Sequence, residues 1–207
     1  MTMQNYSENV FINCPFDDQF NGMFNAIVFT IFDCGFIARC ALEESNGADI
    51  RIEKILNIIK QSKYGIHDIS RTEICTKTKL PRFNMPLELG MFLGAKKYGD
   101  AKQKQKVCLI MDKSAHRYEK YISDIKGQDI SAHGNQINKS VELVTGWLRT
   151  STKRKTIPGG NEISRRYKLF SKKLPEICKE FKIKEKELKF NDYAGFVSEW
   201  IRQNPTA

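Results

Sequence analysis

The stretch Val10-Phe11-Ile12-Asn13-Cys14-Pro15 decides the fold. An apolar run closed by a proline is typical of a strand that is buried on both faces, as strands of parallel sheets are. Similar runs predict further strands at residues 36–42, 64–69 and 107–111, and patterns with helical spacing separate them at residues 20–31, 52–59 and 84–98. Because parallel strands need crossover helices, we predict an α/β fold of the flavodoxin-like, doubly wound type with strand order 2-1-3-4-5.

The second half of the chain predicts smaller elements and a helical extension. Residues 115–122 and 136–148 have helical patterns, and residues 129–132 have the pattern of an edge strand. A basic helix follows Gly159-Gly160, and Pro175 should kink or end it. The last apolar stripe predicts a helix that packs back on the domain. We therefore divide the chain into an α/β domain, residues 1–150, and a basic helical C-terminal extension packed on it, residues 151–207.

Composition restricts the class of protein. No stretch approaches the roughly 20 apolar residues that cross a bilayer, and Met1–Asn9 lacks the pattern of a secretory signal, so we expect a cytoplasmic protein without membrane contact. The six cysteines include no C-x-x-C pair, which favours buried reduced thiols and predicts no metal site.

The net charge of +10 is concentrated near the C-terminus. Residues 151–190 contain 13 Lys or Arg against five Asp or Glu, a net charge of +8. Two interpretations remain open: a solvated helix face, or binding of nucleic acid through this basic tail, with Lys153-Arg154-Lys155 and Arg165-Arg166 as its footprint.

The predicted binding cleft lies outside the carboxyl ends of the strands, where the strand order reverses. Three segments converge there: the end of the first strand, the end of the third strand, and the start of the helix at residues 84–98. Their polar and aromatic side chains can contact a substrate. The candidate substrate-binding residues are Asn13, Pro15, Phe16, Asp17, Ser70, Arg71, Phe83 and Asn84.

Glu88 and Asp68 are the candidate catalytic residues. The pattern places Glu88 in the first turn of its helix, where the helix dipole favours an ionised carboxylate, and such a carboxylate stabilises an oxocarbenium-like sugar. Asp68 ends the third strand and can accept hydrogen bonds from ribose hydroxyls. The alternatives are a glutamate that only stabilises its helix and an aspartate that only closes a loop.

Other residues have supporting roles in this interpretation. Gly90 and Gly94 predict a close approach of the Glu88 helix to the sheet. His67 should point to the opposite face of the strand from Asp68. The loop after the fourth strand supplies candidate second-layer or substrate contacts at Asp124, Asp129 and His133, which can equally be solvated loop residues.

Three motifs resemble those of nucleoside 2-deoxyribosyltransferases. Residues 11–16 are similar to the opening strand and loop of that family. Its strand-end aspartate motif is similar to Ile66-His67-Asp68-Ile69-Ser70. Its helix with the catalytic glutamate is similar to residues 86–96, from Pro86-Leu87-Glu88 to Ala95-Lys96. TIR domains with NADase activity share this topology and a catalytic Glu on the corresponding helix. The resemblance, over residues 8–112, implies N-glycosidic chemistry and, for TIR-like bacterial chains, a role as an anti-phage defence effector that depletes NAD.

Three functions follow as hypotheses. The first is cleavage of the N-glycosidic bond of NAD or a related nucleotide, with NAD as substrate and no separate cofactor, Glu88 at the anomeric carbon and Arg71 near phosphate. The second is a non-catalytic module that binds a nucleotide second messenger or assembles as TIR domains do, as a homo-oligomer or with a partner chain. The third is a nucleic-acid-associated protein that uses the tail at residues 151–190.

Overall fold

The computed structural model describes residues 6–43, 47–74 and 79–206 of the chain. Within these ranges five strands form one sheet, and every neighbouring pair is parallel. The strands are β1 (Asn9–Asn13), β2 (Ile37–Arg39), β3 (Tyr64–Asp68), β4 (Val107–Asp112) and β5 (Ile130–Ala132). Their order is β2-β1-β3-β4-β5, so the predicted flavodoxin-like α/β fold is confirmed.

Helices cover both faces of the sheet. They are α1 (Asp18–Asp33), α2 (Arg51–Gln61), α3 (Asn84–Tyr98), α4 (Ile137–Thr152), α5 (Gly160–Glu180) and α6 (Phe190–Gln203). Helices α1 and α4 contact each other on one face, together with α5 and α6, and α2 and α3 contact each other on the other face. Across the described part of the chain, no helix has both the length and the apolar character needed to span a membrane.

Alternation along the strands decides which layer each site residue meets. Val10, Ile12 and Ile66 belong to the core shared with α1 and α4, whereas Phe11 packs with Phe92 on the α2–α3 face. Because side chains alternate along a strand, Asn13 and His67, which are paired in the register, face α3, and Asp68 faces α1 and α4. His67 and Asp68, the last two residues of β3, therefore face opposite sides of the sheet, as predicted for His67.

The C-terminal helices share the core of the α1–α4 face. Phe29 of α1 stacks on Phe170 of α5 with ring centroids 5.4 Å apart, and lies 5.7 Å from the ring of Trp200 of α6. Full burial of a side chain such as Phe170 contributes roughly 1.5–3 kcal/mol relative to exposure. Helices α5 and α6 thus pack directly on the α/β layers, while the division of the chain at residue 150 stays a prediction.

A buried ion pair joins the extension to α1. Arg166 donates from Nε and Nη2 to the carboxylate of Asp33 at 2.8–3.0 Å, and Nη2 also donates to the carbonyl oxygen of Asn204 at 2.7 Å. Both charged side chains are buried. Arg166, half of the Arg165-Arg166 footprint that the sequence indicated for nucleic acid, is therefore engaged inside the protein.

Some local expectations differ from the structure. Helix α5 does not end at Pro175 but continues to Glu180, with Leu174 and Cys178 buried on both sides of the proline, while the predicted kink stays a prediction. The short helix predicted at residues 115–122 is a 3-10 helix, Arg117–Lys120. A Cβ atom at Gly90 or Gly94 would meet nothing within 4 Å, so these glycines do not serve a close approach to the sheet.

Close packing occurs instead at Gly65 in β3. A Cβ there would lie 2.7 Å from His67 Nε2 and 2.8 Å from the ring of Phe92. The missing side chain leaves the space in which the His67 ring and the Phe92 ring meet edge to face, with centroids 4.9 Å apart.

The cysteines of the described residues are free thiols. Cys14, Cys34, Cys40 and Cys178 are buried and Cys108 is half-buried, as the absence of C-x-x-C pairs indicated. Cys75, the sixth, lies outside the described residues.

Candidate functional site

Asn13 connects the end of β1 to the start of α3. Its Nδ2 donates to the carbonyl oxygen of Met85 at 2.8 Å and lies 3.0 Å from Nδ1 of His67. An amide nitrogen only donates, so His67 Nδ1 accepts and the ring carries its proton on Nε2. Burial, and then the charge of Lys106, lowers the pKa of His67 to about 3, so the ring is neutral. Asn13, a candidate substrate contact, is buried and engaged within the protein.

Glu88 differs from its predicted state. Helix α3 begins at Asn84, so Glu88 lies in the second turn, and the first turn contains no acidic residue. Its side chain is 8% exposed, and burial raises its pKa from 4.5 to about 7 against the opposing charge of Arg51. The expectation of a fully ionised carboxylate is therefore wrong, because desolvation outweighs the helix dipole beyond the first turn. At neutral pH both protonation states of Glu88 are populated.

The Cys14 thiol follows the carboxyl end of β1 and is buried. Burial raises its pKa well above the ordinary value, and the electrostatic influence of acidic residues, Asp68 foremost, raises it further. Cys14 is therefore a protonated, unreactive thiol.

Asp68 is fully buried; its Oδ1 accepts hydrogen bonds from Ser70, and the nearest polar group to its Oδ2 is the ring of His133, which makes no regular hydrogen bond to it. Ser70 donates to Oδ1 from its backbone nitrogen at 3.0 Å and from its hydroxyl at 2.5 Å. His133 Nε2 lies 3.0 Å from Oδ2, although the angle of this contact departs from that of an ideal hydrogen bond. The backbone N–H of Asn135 donates to His133 Nδ1 at 2.9 Å, so the ring proton of neutral His133 is on Nε2, towards Asp68. The structure thus joins His133 to Asp68.

Asp17 clamps the loops after β1 and β3 together. It caps α1 by accepting from the backbone nitrogen of Phe20 at 3.1 Å. Arg71 Nη2 lies 3.0 Å from one carboxylate oxygen and Arg82 Nη1 lies 3.3 Å from the other. Arg71 also donates to the side-chain oxygen of Gln19 at 2.7 Å. Both Asp17 and Arg71, predicted as substrate contacts, therefore meet each other at the mouth of the cleft.

A cluster of polar side chains after β4 was not predicted from the sequence. Arg117 Nε donates to the buried Asp112 at 2.8 Å, and its Nη2 donates to the carbonyl oxygens of Ile69 and Ser70 at 3.0 and 2.9 Å. Tyr121 donates to Asp112 at 2.9 Å. The signal was available in the sequence, because Asp112 ends an apolar strand, as Asp68 does. This cluster holds the Ser70 backbone in place next to Asp68.

A cavity of about 330 Å³ opens between α1, α4 and the loops after β3 and β4. We call it the α1–α4 cavity. Its lining residues are Gln19, Phe20, Gly22, Met23, Ser70, Arg71, Glu73, Lys113, Asn135 and Ile137. Ser70 and Arg71 thus face it, whereas Glu88 lies on the α3 side of the same sheet edge.

Pro15, Phe16 and Asp17 line a second cavity, of about 240 Å³, whose opposite wall is residues 185–193. The ring of Phe16 meets that of Phe24 edge to face, with centroids 5.3 Å apart. Phe83 and Asn84 are exposed at the start of α3. Asp124 and Asp129 are exposed on the loop after β4, away from the buried contact that His133 makes.

No group of three His, Cys, Asp or Glu side chains in the described ranges is arranged to hold a metal ion. Comparison of the chain with protein-family models, with curated proteins and with solved structures found no significant match. The site is therefore interpreted from its own chemistry and from the motifs of its sequence.

Proposed function

We propose that this protein cleaves the N-glycosidic bond of NAD or of a related nucleoside or nucleotide, with Glu88 as the catalytic carboxylate. The observation that supports this proposal is the state of Glu88, which is 8% exposed near the carboxyl edge of the sheet with its pKa raised to about 7. A carboxyl group with a perturbed pKa at the ligand-binding edge of an open parallel sheet is a candidate for catalysis. The resemblance of residues 86–96 to a helix with a catalytic glutamate supports the same role.

In the proposed hydrolysis, the bond between ribose C1′ and the base nitrogen breaks, and its electron pair stays on the nitrogen. From NAD the base leaves as neutral nicotinamide without needing a proton, so the ionised form of Glu88 is the active one, because it stabilises the oxocarbenium-like sugar. Water then adds to C1′ and releases a proton to solvent. A purine leaves more readily when it is protonated, and the protonated form of Glu88 can supply that proton.

Asp68 acts as a positioning residue in this proposal. Its oxygens already bind Ser70 and face His133, so it holds the loop after β3 rather than the sugar. A cytoplasmic location, a homo-oligomeric state and a role in anti-phage defence are proposed on the sequence alone.

The test compares base release by the wild type, Glu88→Gln and Glu142→Gln, an exposed glutamate of α4. Each is incubated with NAD and with purine nucleosides, and products are separated by chromatography. Glu88→Gln is nearly isosteric, so the fold should persist while release falls by about 100-fold or more. With NAD the wild-type rate should rise with pH through about 7, and with a purine nucleoside it should fall. Full activity of Glu88→Gln overturns the proposal.

A second function, nucleotide binding without cleavage, is favoured by one observation. Of the two predicted catalytic residues, Asp68 is fully buried and its Oδ1 is bound by Ser70, which keeps it away from the reacting atoms of a bound nucleotide. A binding module predicts that a nucleotide raises the melting temperature of both the wild type and Glu88→Gln while no base is released.

A further inference from the structure

The α1–α4 cavity has the size and position of a ligand-binding site, and Glu88 does not line it. Its volume of about 330 Å³ is at the lower end of the range for small-molecule sites, and the sheet edge that borders it is where ligands bind in open parallel folds. Polar side chains from three loops and from α1 line it, which is typical of a site that orients a polar ligand.

Two cations and one acid line this cavity. Arg71 and Lys113 are the cations, and Arg71 also contacts Asp17, whose carboxylate lies outside the lining. Burial, and then the charges of Arg117 and Arg71, lowers the pKa of Lys113, so the potential at this ammonium is positive. The single acid of the lining, Glu73, pairs with Lys113, but its side chain is 54% exposed. An exposed pair is weak and can be exchanged for a bound anion.

The start of α4 adds backbone donors to the same cavity. Helix α4 begins at Ile137 without a side-chain cap and without an acidic residue in its first turn, and Asn135 and Ile137 line the cavity. The first N–H groups of a helix have no partner within it, and its dipole favours an anion there. In contrast, the start of α1 is already capped by the carboxylate of Asp17.

We infer that the α1–α4 cavity binds a phosphate group of the ligand through Arg71, Lys113 and the start of α4. This inference rests on the proposed function and deepens it, because it makes the substrate a phosphorylated nucleotide rather than a nucleoside. Arg71 exchanges its contact with Asp17 or Gln19 for a phosphate oxygen, as Lys113 exchanges Glu73, and its planar guanidinium suits that geometry.

Ser70 lines the cavity and donates to Asp68 at the end of β3, and Asn13 joins the end of the neighbouring β1 to the start of α3. The cavity and the Glu88 helix thus border one edge of the sheet, and a nucleotide can extend from the cavity to Glu88.

The test measures binding by calorimetry at fixed ionic strength, with a matched pair of ligands. Adenosine 5′-monophosphate and adenosine differ only in the phosphate, and inorganic pyrophosphate probes the anion without a base. The variants are Lys113→Gln, which removes a cation, Glu73→Gln, which removes its competitor, and Lys173→Gln as control. Lys173 pairs with Glu176 on α5 as Lys113 pairs with Glu73, but lies outside the cavity.

The wild type should bind the monophosphate at least about tenfold more tightly than adenosine, and it should bind pyrophosphate. Lys113→Gln should weaken both anions by about tenfold, Glu73→Gln should tighten them, and Lys173→Gln should leave them unchanged. Equal affinity for monophosphate and adenosine, or equal effects of Lys113→Gln and Lys173→Gln, overturns the inference.

The outcome is independent of catalysis. If no base is released from any substrate but Lys113→Gln weakens and Glu73→Gln tightens anion binding, the proposed function fails and the phosphate site stands. If nucleosides are cleaved as well as nucleotides and Lys113→Gln changes neither binding nor turnover, the proposed function stands and the phosphate site is wrong.

Discussion

His133 Nε2 lies 3.0 Å from Asp68 Oδ2, and both side chains are buried at the carboxyl edge of the sheet. Asp68 ends β3 and His133 directly follows β5, and β4 lies between these strands, so this contact spans three strands of the sheet. It brings a proton-bearing ring nitrogen to a carboxylate whose other oxygen accepts from Ser70.

Removing His133 should therefore destabilise the fold. His133→Ala leaves one oxygen of a buried carboxylate without its partner, which should lower the free energy of unfolding by about 3 kcal/mol. Urea denaturation measures the change. His116→Ala is the control, because that side chain is 81% exposed and its loss should change stability by less than about 0.5 kcal/mol. Similar effects of the two substitutions would show that the Asp68 contact contributes little.

Glu88 should make stability depend on pH. Its pKa is raised from 4.5 to about 7 in the folded state, so the folded protein holds a proton that the unfolded chain has lost between these values. The stabilisation is fully present below pH 4.5 and is lost as pH rises through about 7, by up to about 3 kcal/mol. Glu88→Gln removes this loss, so its stability relative to the wild type should increase from pH 5 to pH 8. Parallel curves for the two proteins would contradict the raised pKa.

The two neighbouring arginines of α5 should contribute very differently to stability. Arg166→Ala leaves Asp33 charged and buried without a partner, and should lower the free energy of unfolding by about 3–5 kcal/mol. Arg165→Ala breaks only an exposed pair with Glu162 and should cost less than about 1 kcal/mol. Thermal denaturation distinguishes them, and a mild effect of Arg166→Ala would mean that the extension does not depend on this ion pair.

Alanine substitutions at Gly65 and Gly90 should change the stability of the protein in opposite directions. Gly65→Ala forces a Cβ against His67 and Phe92 and should destabilise the protein by about 1–3 kcal/mol. Gly90→Ala, in α3 with open space around the new methyl group, should stabilise it by about 0.5–1 kcal/mol. Chemical denaturation of both variants measures this, and equal changes would contradict the packing described at Gly65.

Short-range patterns were sufficient for the architecture. The strands around residues 10–14, 64–69 and 107–111 were identified because continuous apolar runs with crossover helices between them leave few alternatives to a doubly wound parallel sheet. The same topology placed Asp68, Ser70 and the Glu88 helix at one edge, because the carboxyl ends of parallel strands meet there. The end of α5 was not predicted, because Leu174 and Cys178 are buried and the helix continues past Pro175.

By itself, the sequence determined the sheet, its strand order and the edge at which polar groups converge, since these depend on periodicity and crossover geometry. Only the tertiary structure decided the partners and pKa shifts there: that Asp68 lies against His133, that Asp17 holds Arg71, and that burial raises the pKa of Glu88 to about 7. These properties depend on burial and on contacts between residues distant in sequence. Desolvation and ion pairing act through space, so they cannot be predicted from the local pattern of residues in the sequence.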